Sequence, residues 1–332
     1  MPLPLLAVLP SPVLAHVRWF VDVGRFANAE FLMDVSTALV AIGAAAYAML
    51  ALHVHRSARF EGISARLAGW ASAGNGLDWR LVGVLTGMML IGNAMTGVYL
   101  APNIELPFVS LVTVGAVAQV LVGILLLLQI TYSVSGALVL VVAVLTLGVV
   151  SPWIMMDYVF EFVALAVALI LVGPSLTKID RRICGARGWD SEKMSQLAVP
   201  VIRVGVGLTL ATLAVHNKLL SPGLMLAFLE EYHFNFMPMI GFAGFSDLHF
   251  AFAAGIAELT LGLLILFGVA TRFAVATVTV FFVTTLILLG PVELLGHAPL
   301  VGIAVVLILR GSGRPAVEPA MAAVTRETAQ PA

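Results

Sequence analysis

The chain has 332 residues, of which 61% are hydrophobic and only 11% are charged, and its formal net charge is −1. Soluble domains usually carry about 25% charged residues, so this chain lacks the polar residues needed to cover a water-facing surface. The near-neutral charge argues against a nucleic-acid partner. The single cysteine, Cys184, excludes an internal disulfide and a Cys-x-x-Cys redox pair. Because strand-type alternation is absent, the composition predicts an all-α, polytopic membrane protein.

The first 33 residues are predicted to form an outer N-terminal segment. Residues 3–9 are apolar, and the small-residue pattern that ends at Ala15 is typical of a signal-peptidase site. Cleavage there would leave His16 at the N-terminus, where an amine and an imidazole together favour copper. The alternative is an uncleaved interfacial segment, with Trp19 and Phe20 as head-group anchors.

Nine apolar runs reach or approach the ~20 residues that a helix needs to cross a bilayer. They fall at approximately 34–55, 80–100, 108–131, 135–151, 155–173, 198–219, 248–268, 272–290 and 295–310. The predicted organisation is a leading span with its cytoplasmic loop (34–79), a first four-helix unit (80–175), a basic cytoplasmic linker (176–197), a second four-helix unit (198–311) and a disordered tail (312–332).

Lys and Arg residues collect in alternate loops. They are Arg56, Arg59, Arg66 and Arg80 in one loop, Lys178, Arg181, Arg182, Arg187, Lys193 and Arg203 in another, and Arg272, Arg310 and Arg314 at later ends. With nine spans all of these fall on one side, which the positive-inside rule makes cytoplasmic. The N-terminus is therefore predicted outside and the C-terminus inside, with the basic linker in contact with anionic membrane lipids.

The two four-helix units show a faint duplication. Their first spans read RLVGVLT from residue 80 and RVGVGLT from residue 203. Three pairs of polar residues then fall at matching positions: Arg80 and Arg203, Asn93 and His216, and Gln119 and Glu258. A repeat of this kind would place the two units in the same orientation, related by an axis along the membrane normal. The alternative is that apolar helices resemble one another by composition.

Glu258 is the sharpest feature of the second unit. It lies about ten residues into the predicted span 248–268, near the bilayer midplane. A charge there costs at least ~2.5–3.5 kcal/mol, so the side chain should face the bundle and have a partner. Arg203 and His216, toward opposite ends of the preceding span, are the predicted partners. Glu258 is thus a candidate proton carrier or head-group ligand, and the alternative is a structural hydrogen bond between helices.

A span opened by Arg203 and ending in His216-Asn217-Lys218, followed by GIAELTLGLLILFGVATR at 255–272, resembles the DoxX family of small four-helix membrane proteins. The resemblance covers 198–311, and it reaches 80–173 only through the repeat. It implies one leading helix plus two parallel DoxX-like four-helix bundles in a bacterial inner (cytoplasmic) membrane. Some members of the family serve as membrane subunits of quinone-linked oxidoreductases, and many have no assigned activity.

The resemblance also implies a site in the second bundle. Glu258, His216 and Arg203 would be catalytic, with Glu258 moving the proton and the other two setting its charge. Lys218 and Arg272 would bind the quinone. Asn93 and Gln119, at the matching positions of the first unit, are further candidate cofactor-binding side chains. The electrons would come from a redox partner protein. Two other classes of function remain open: a non-catalytic or copper-handling partner protein that uses His16 and the outer face, and a small-solute transporter.

Overall fold

The computed structural model describes residues 26–31, 33–101, 104, 106–185, 190–290 and 293–313. Within these ranges the chain is all-helical, with no strand and one isolated bridge between Tyr99 and Ala101. Five of these helices are long and apolar enough to cross a membrane by length and composition, and three shorter helices are also apolar. The predicted all-α class is confirmed, and several apolar helices indicate a membrane protein. Nine crossings stay a prediction.

The helices have the following bounds in chain order: α1 (Val35–His55), α2 (Ala58–Ala73), α3 (Leu77–Thr96), α4 (Val109–Leu127), α5 (Ser133–Thr146), α6 (Pro152–Met155), α7 (Val159–Leu176), α8 (Lys178–Gly185), α9 (Ser191–Leu213), α10 (Pro222–Tyr232), α11 (Asp247–Phe267), α12 (Thr271–Leu289) and α13 (Glu293–Arg310). A π-helical segment, Ala214–Leu219, continues α9, and a 3-10 turn, Met237–Ile240, follows α10.

Two stretches predicted as cytoplasmic loop and linker contain helices. Helix α2 occupies most of the loop after α1 and packs against α13. Helix α8 occupies part of the basic linker, and its Asp180 is fully buried. The Asp180 carboxylate accepts hydrogen bonds from the Tyr132 backbone N–H at 2.7 Å and the Thr177 hydroxyl at 2.8 Å. A carboxylate at the start of α5 is favourable because the N-terminus of a helix carries partial positive charge.

Helix α9 lies at the centre of the packing. Its most extensive contacts are with α7 and α11, whereas α3 packs mainly on α4 and α13. Helix α5 packs on α7, and α12 packs on α13. The fourth helix of each predicted unit, α7 or α13, therefore packs chiefly against the first helix of the other unit. It contacts the first helix of its own unit only sparsely, so the predicted units share an extensive interface.

The buried Arg203 joins the ends of two helices in the second unit. Its guanidinium donates to the carbonyl oxygens of Ile265 at 2.8 Å, of Leu266, and of Ser312 at 2.9 Å. Ile265 and Leu266 lie in the last turn of α11, where intrahelical partners run out, and Ser312 lies two residues beyond the end of α13. The cation also complements the partial negative charge at those ends. Arg203 thus fastens α11 to α13 at this end of the bundle.

Arg80 makes similar contacts in the first unit. It donates to the side chain of Gln129, just after α4, and to the carbonyl oxygen of Leu176 at 3.0 Å, the last residue of α7. The turns after the second helices also agree, because Gln129 has φ 52° and Gly268 has φ 73°, both left-handed. These shared contacts favour the duplication, which stays a prediction.

Candidate functional site

A cavity of about 1280 Å³ is lined by residues of α1, α7, α9, α10, α11, α12 and α13, of the π-helical segment after α9, and of the connection between α10 and α11. Its wall is predominantly apolar. Aromatic rings from α10, α11 and their connection form part of it: Phe228, Phe234, Phe236, Phe242, Phe245 and Phe250. The titratable side chains on the wall are Glu161, Lys218, Glu258 and His297. A few polar groups in a large apolar cavity are typical of a site for an amphiphilic ligand.

Lys218 and Glu258 form an ion pair on this wall. The Lys218 Nζ lies 2.5 Å from the Glu258 Oε2, and the two side chains are 15% and 26% exposed. A charged group in such surroundings persists only with a partner. Glu258 therefore has a partner, as predicted, but that partner is Lys218.

The π-helical segment Ala214–Leu219 positions the polar residues at the end of α9. His216 Nδ1 lies 3.2 Å from the Asp157 Oδ1, and the Asn217 amide donates to the Asp157 Oδ2 at 3.1 Å. The next residue, Lys218, instead contacts Glu258 on α11. The widened turn of a π segment changes the register of a helix and is frequent at functional sites. Of three consecutive polar residues, His216 and Asn217 therefore contact Asp157, between α6 and α7, whereas Lys218 contacts Glu258 on α11.

His216 and Arg203, the predicted partners of Glu258, have other contacts. The His216 ring stacks on Trp153, with centroids 5.2 Å apart, and bonds Asp157, which is fully buried. Arg203 bonds Ile265, which lies seven residues beyond Glu258 on α11, or ~10 Å along the helix. The structure therefore places the His216 ring against Trp153 and Asp157, and it places the Arg203 guanidinium at the C-terminal end of α11.

Arg272 also binds helix ends rather than the ion pair. Its guanidinium donates to the carbonyl oxygens of Ile308 at 2.8 Å and Leu309 at 3.0 Å. These are the last carbonyls of α13, so Arg272 reinforces the same end of the bundle as Arg203. Neither arginine is among the residues that line the cavity.

Asn93 and Gln119 hold the connection between α3 and α4. The buried Asn93 amide donates to the Leu100 carbonyl at 2.8 Å. The Gln119 side chain accepts from the Leu100 N–H at 2.7 Å and donates to the Val98 carbonyl at 3.0 Å. Both side chains satisfy buried backbone groups, which would otherwise cost free energy. Of the predicted site residues within the described ranges, Glu258 and Lys218 alone line the large cavity.

Sequence analysis missed Glu161. This residue lies on α7 in the predicted first unit, yet its side chain lines the cavity and is only 6% exposed. It reaches the cavity because α7 packs against α9. A signal was present, since Asp157 and Glu161 both fall inside the predicted span 155–173. Acidic residues inside an apolar span are costly and mark functional or paired positions.

A polar contact at one end of the bundle ties α1 to α11. The Asp34 carboxylate caps α1 by accepting the Thr37 N–H at 3.0 Å, and its other oxygen lies 2.9 Å from the His249 Nε2. The Thr37 backbone N–H, and then the His249 ring, hold the pKa of Asp34 below its ordinary value. Ser36 of α1 and Phe250 of α11, both beside this contact, line the cavity.

Within the described part of the chain, no group of three or more His, Cys, Asp or Glu side chains could hold a metal ion. The predicted copper ligand His16 lies outside the described residues. Comparison of the chain with protein-family models, curated proteins and solved structures finds no match. The DoxX resemblance therefore stays a prediction that rests on the residues of the second unit.

Proposed function

We propose that the chain is an integral membrane protein that binds a quinone-like molecule in the cavity of the second unit. The Lys218–Glu258 ion pair on the wall of a predominantly apolar cavity of about 1280 Å³ carries this proposal. Drug-sized ligands occupy about 300–1,000 Å³, so the cavity has room for a head group and a long hydrocarbon tail. The apolar wall would take the tail, and the few polar side chains would orient the head group.

In this proposal the protein is a membrane subunit of a quinone-linked oxidoreductase in a bacterial inner membrane, as the DoxX resemblance implies. Reduction of a quinone takes two electrons and two protons. A single cysteine gives the chain no dithiol pair, so the electrons come from a bound cofactor or from a redox partner protein. Glu258 relays these protons one at a time between water and the head group, and the Lys218 ammonium pairs with its carboxylate. Nine crossings, parallel repeats and a cytoplasmic C-terminus complete the proposed arrangement.

Filling the cavity should block ligand binding. Ala257 lines the wall one residue before Glu258, and we expect Ala257→Phe to weaken binding of decylubiquinone about tenfold or more, since overpacking costs ~1–3 kcal/mol. The measurement is equilibrium binding to the full chain in lipid nanodiscs. The matched control is Ala46→Phe on the exposed face of α1, which should bind as the unmodified protein does. Equal binding by Ala257→Phe would place the ligand elsewhere.

Removing the charge of Glu258 should stop proton transfer but not binding. We expect Glu258→Gln to lower quinone-linked turnover by about 10²-fold or more, the usual contribution of a positioned acid or base. Membrane insertion should be unaffected. The assay is turnover in reconstituted membranes with the native electron donor, and the control is Glu231→Gln at an exposed position on α10. Unchanged turnover would remove the proton role of Glu258.

A further inference from the structure

Two side chains on the cavity wall have buried oxygen atoms that lack a hydrogen-bond partner among the described residues. The Asn217 amide donates to Asp157, whereas no described residue donates to its Oδ1, and the Thr209 Oγ1 likewise has no partner in this part of the chain. Both residues line the cavity and are 3% exposed. The orientation of the Asn217 amide follows from Asp157, because a carboxylate accepts from the NH₂ group and not from the oxygen.

Glu161 brings a carboxyl to the same cavity. Its side chain is 6% exposed and lines the wall, where His297 is its electrostatic neighbour, and no hydrogen bond to it occurs within the described residues. A buried polar group left without a partner costs ~1–3 kcal/mol, and more when it is charged. Such groups in a native structure call for a ligand, an ion or water to satisfy them. Here they face one cavity, which favours a single ligand.

The chemistry of these groups selects the head group. The Asn217 Oδ1 can only accept a hydrogen bond, and a carboxyl such as that of Glu161 keeps an acceptor oxygen in either protonation state. The Lys218 ammonium has three N–H donors, of which Glu258 engages one. Of the buried wall groups without a hydrogen-bond partner among the described residues, the Asn217 Oδ1 and the Glu161 carboxyl can accept, and the Thr209 hydroxyl can donate or accept. The unmet capacity of these buried groups is therefore mainly for accepting hydrogen bonds. A complementary ligand must donate them.

We propose that the cavity selects a head group that carries a hydroxyl, so that within the quinone class it prefers the reduced quinol to the oxidised quinone. This inference rests on the proposed function, since it assumes that the cavity binds an amphiphile. An oxidised quinone offers two carbonyl acceptors and no donor. The quinol offers two O–H donors, one for Glu161 and one for Asn217. The site thus holds the reduced form longer and takes up the oxidised form less readily.

The test compares two stable probes with the same tail, 4-dodecylphenol and 4-dodecylanisole. The anisole carries a methyl group in place of the hydroxyl hydrogen and therefore has no O–H donor. Binding is measured on the full chain in phosphatidylcholine nanodiscs, with empty nanodiscs as the blank. We expect the phenol to bind about tenfold more tightly than the anisole, which corresponds to one well-placed hydrogen bond. Glu161→Leu removes an acceptor without breaking any hydrogen bond within the described residues, so it should fold and reduce this preference to about threefold or less.

Two further variants test which side chains cause the preference for the phenol. Glu161→Gln keeps an acceptor oxygen and should retain the preference for the phenol, whereas Asn217→Leu should reduce it in protein shown to be folded by thermal melting. Equal binding of both probes to the unmodified protein would overturn the hydroxyl preference but leave the proposed binding function intact. Full preference in both Glu161→Leu and Asn217→Leu would also overturn it. Binding of neither probe would overturn the proposed function itself.

Discussion

Gly205→Ala is expected to destabilise the protein by about 3 kcal/mol or more, the upper end of what overpacking a core costs. A Cβ atom at Gly205 would lie 2.0 Å from the Ala164 Cβ and 2.8 Å from the Phe160 carbonyl oxygen, both on α7. The carbonyl belongs to the backbone of a packed helix and cannot turn aside. The two helices would have to separate along the most extensive contact in the fold.

Gly207 makes the matching contact on the other side of α9. A Cβ there would lie 2.5 Å from the backbone nitrogen and 2.6 Å from the Cα of Leu266 on α11. Two residues along a helix correspond to about 200° around its axis, so the two glycines face nearly opposite neighbours. The pair lets α9 lie tightly between α7 and α11, which is the small-residue mode of packing common in membranes.

The measurement is the midpoint of unfolding in detergent for Gly205→Ala, with Gly43→Ala as the matched control. Gly43 lies on α1 with open space around it. Its replacement should be neutral or stabilise by up to ~1 kcal/mol, because alanine favours helix more than glycine does. The double variant Gly205→Ala, Ala164→Gly should recover part of the loss. If Gly205→Ala proves as stable as Gly43→Ala, α7 and α9 are not in close contact.

Hydropathy predicts where the apolar helices lie but not which of them pack together. Each of the nine predicted spans overlaps a helix, and α1 begins within one residue of its predicted start. Helices α2 and α8 were not predicted because charged residues interrupt both of them, so no long apolar run marks them. The contacts of α7 with α9 and of α13 with α3 depend on side-chain shape at the crossings. A glycine such as Gly205 indicates that another helix can pack closely there, but it does not indicate which helix.

For the site, too, the sequence predicts which residue needs a partner but not which residue supplies it. The cost of a charge inside an apolar span predicts that Glu258 has a partner, and Lys218 contacts it. The choice of Arg203 and His216 fails because it assumes an unbroken α-helix and a site within one unit. In the π segment, Lys218 contacts Glu258 and His216 contacts Asp157. Glu161 was not predicted as a site residue because it lies in the predicted first unit. It reaches the cavity only because α7 packs against α9.

Lys218→Met is expected to destabilise the protein by about 3 kcal/mol, the lower end of the range for breaking a buried ion pair. The lower end applies because the Lys218 and Glu258 side chains are 15% and 26% exposed. The loss arises from the Glu258 carboxylate, which stays on an apolar wall without its cation. Glu258→Leu should cost less, since the long lysine side chain can extend its ammonium toward the membrane surface. Lys218→Met should therefore lose more stability than Glu258→Leu.

The double variant Lys218→Met, Glu258→Leu should recover most of the stability that Lys218→Met loses, because it leaves no uncompensated charge. Unfolding midpoints of the four proteins give the coupling free energy as a double-mutant cycle. Additive losses would mean that the two side chains do not form a pair. The double variant also separates structure from function: it should be folded and still lack quinone-linked turnover, because an apolar pair fills the wall but carries no proton.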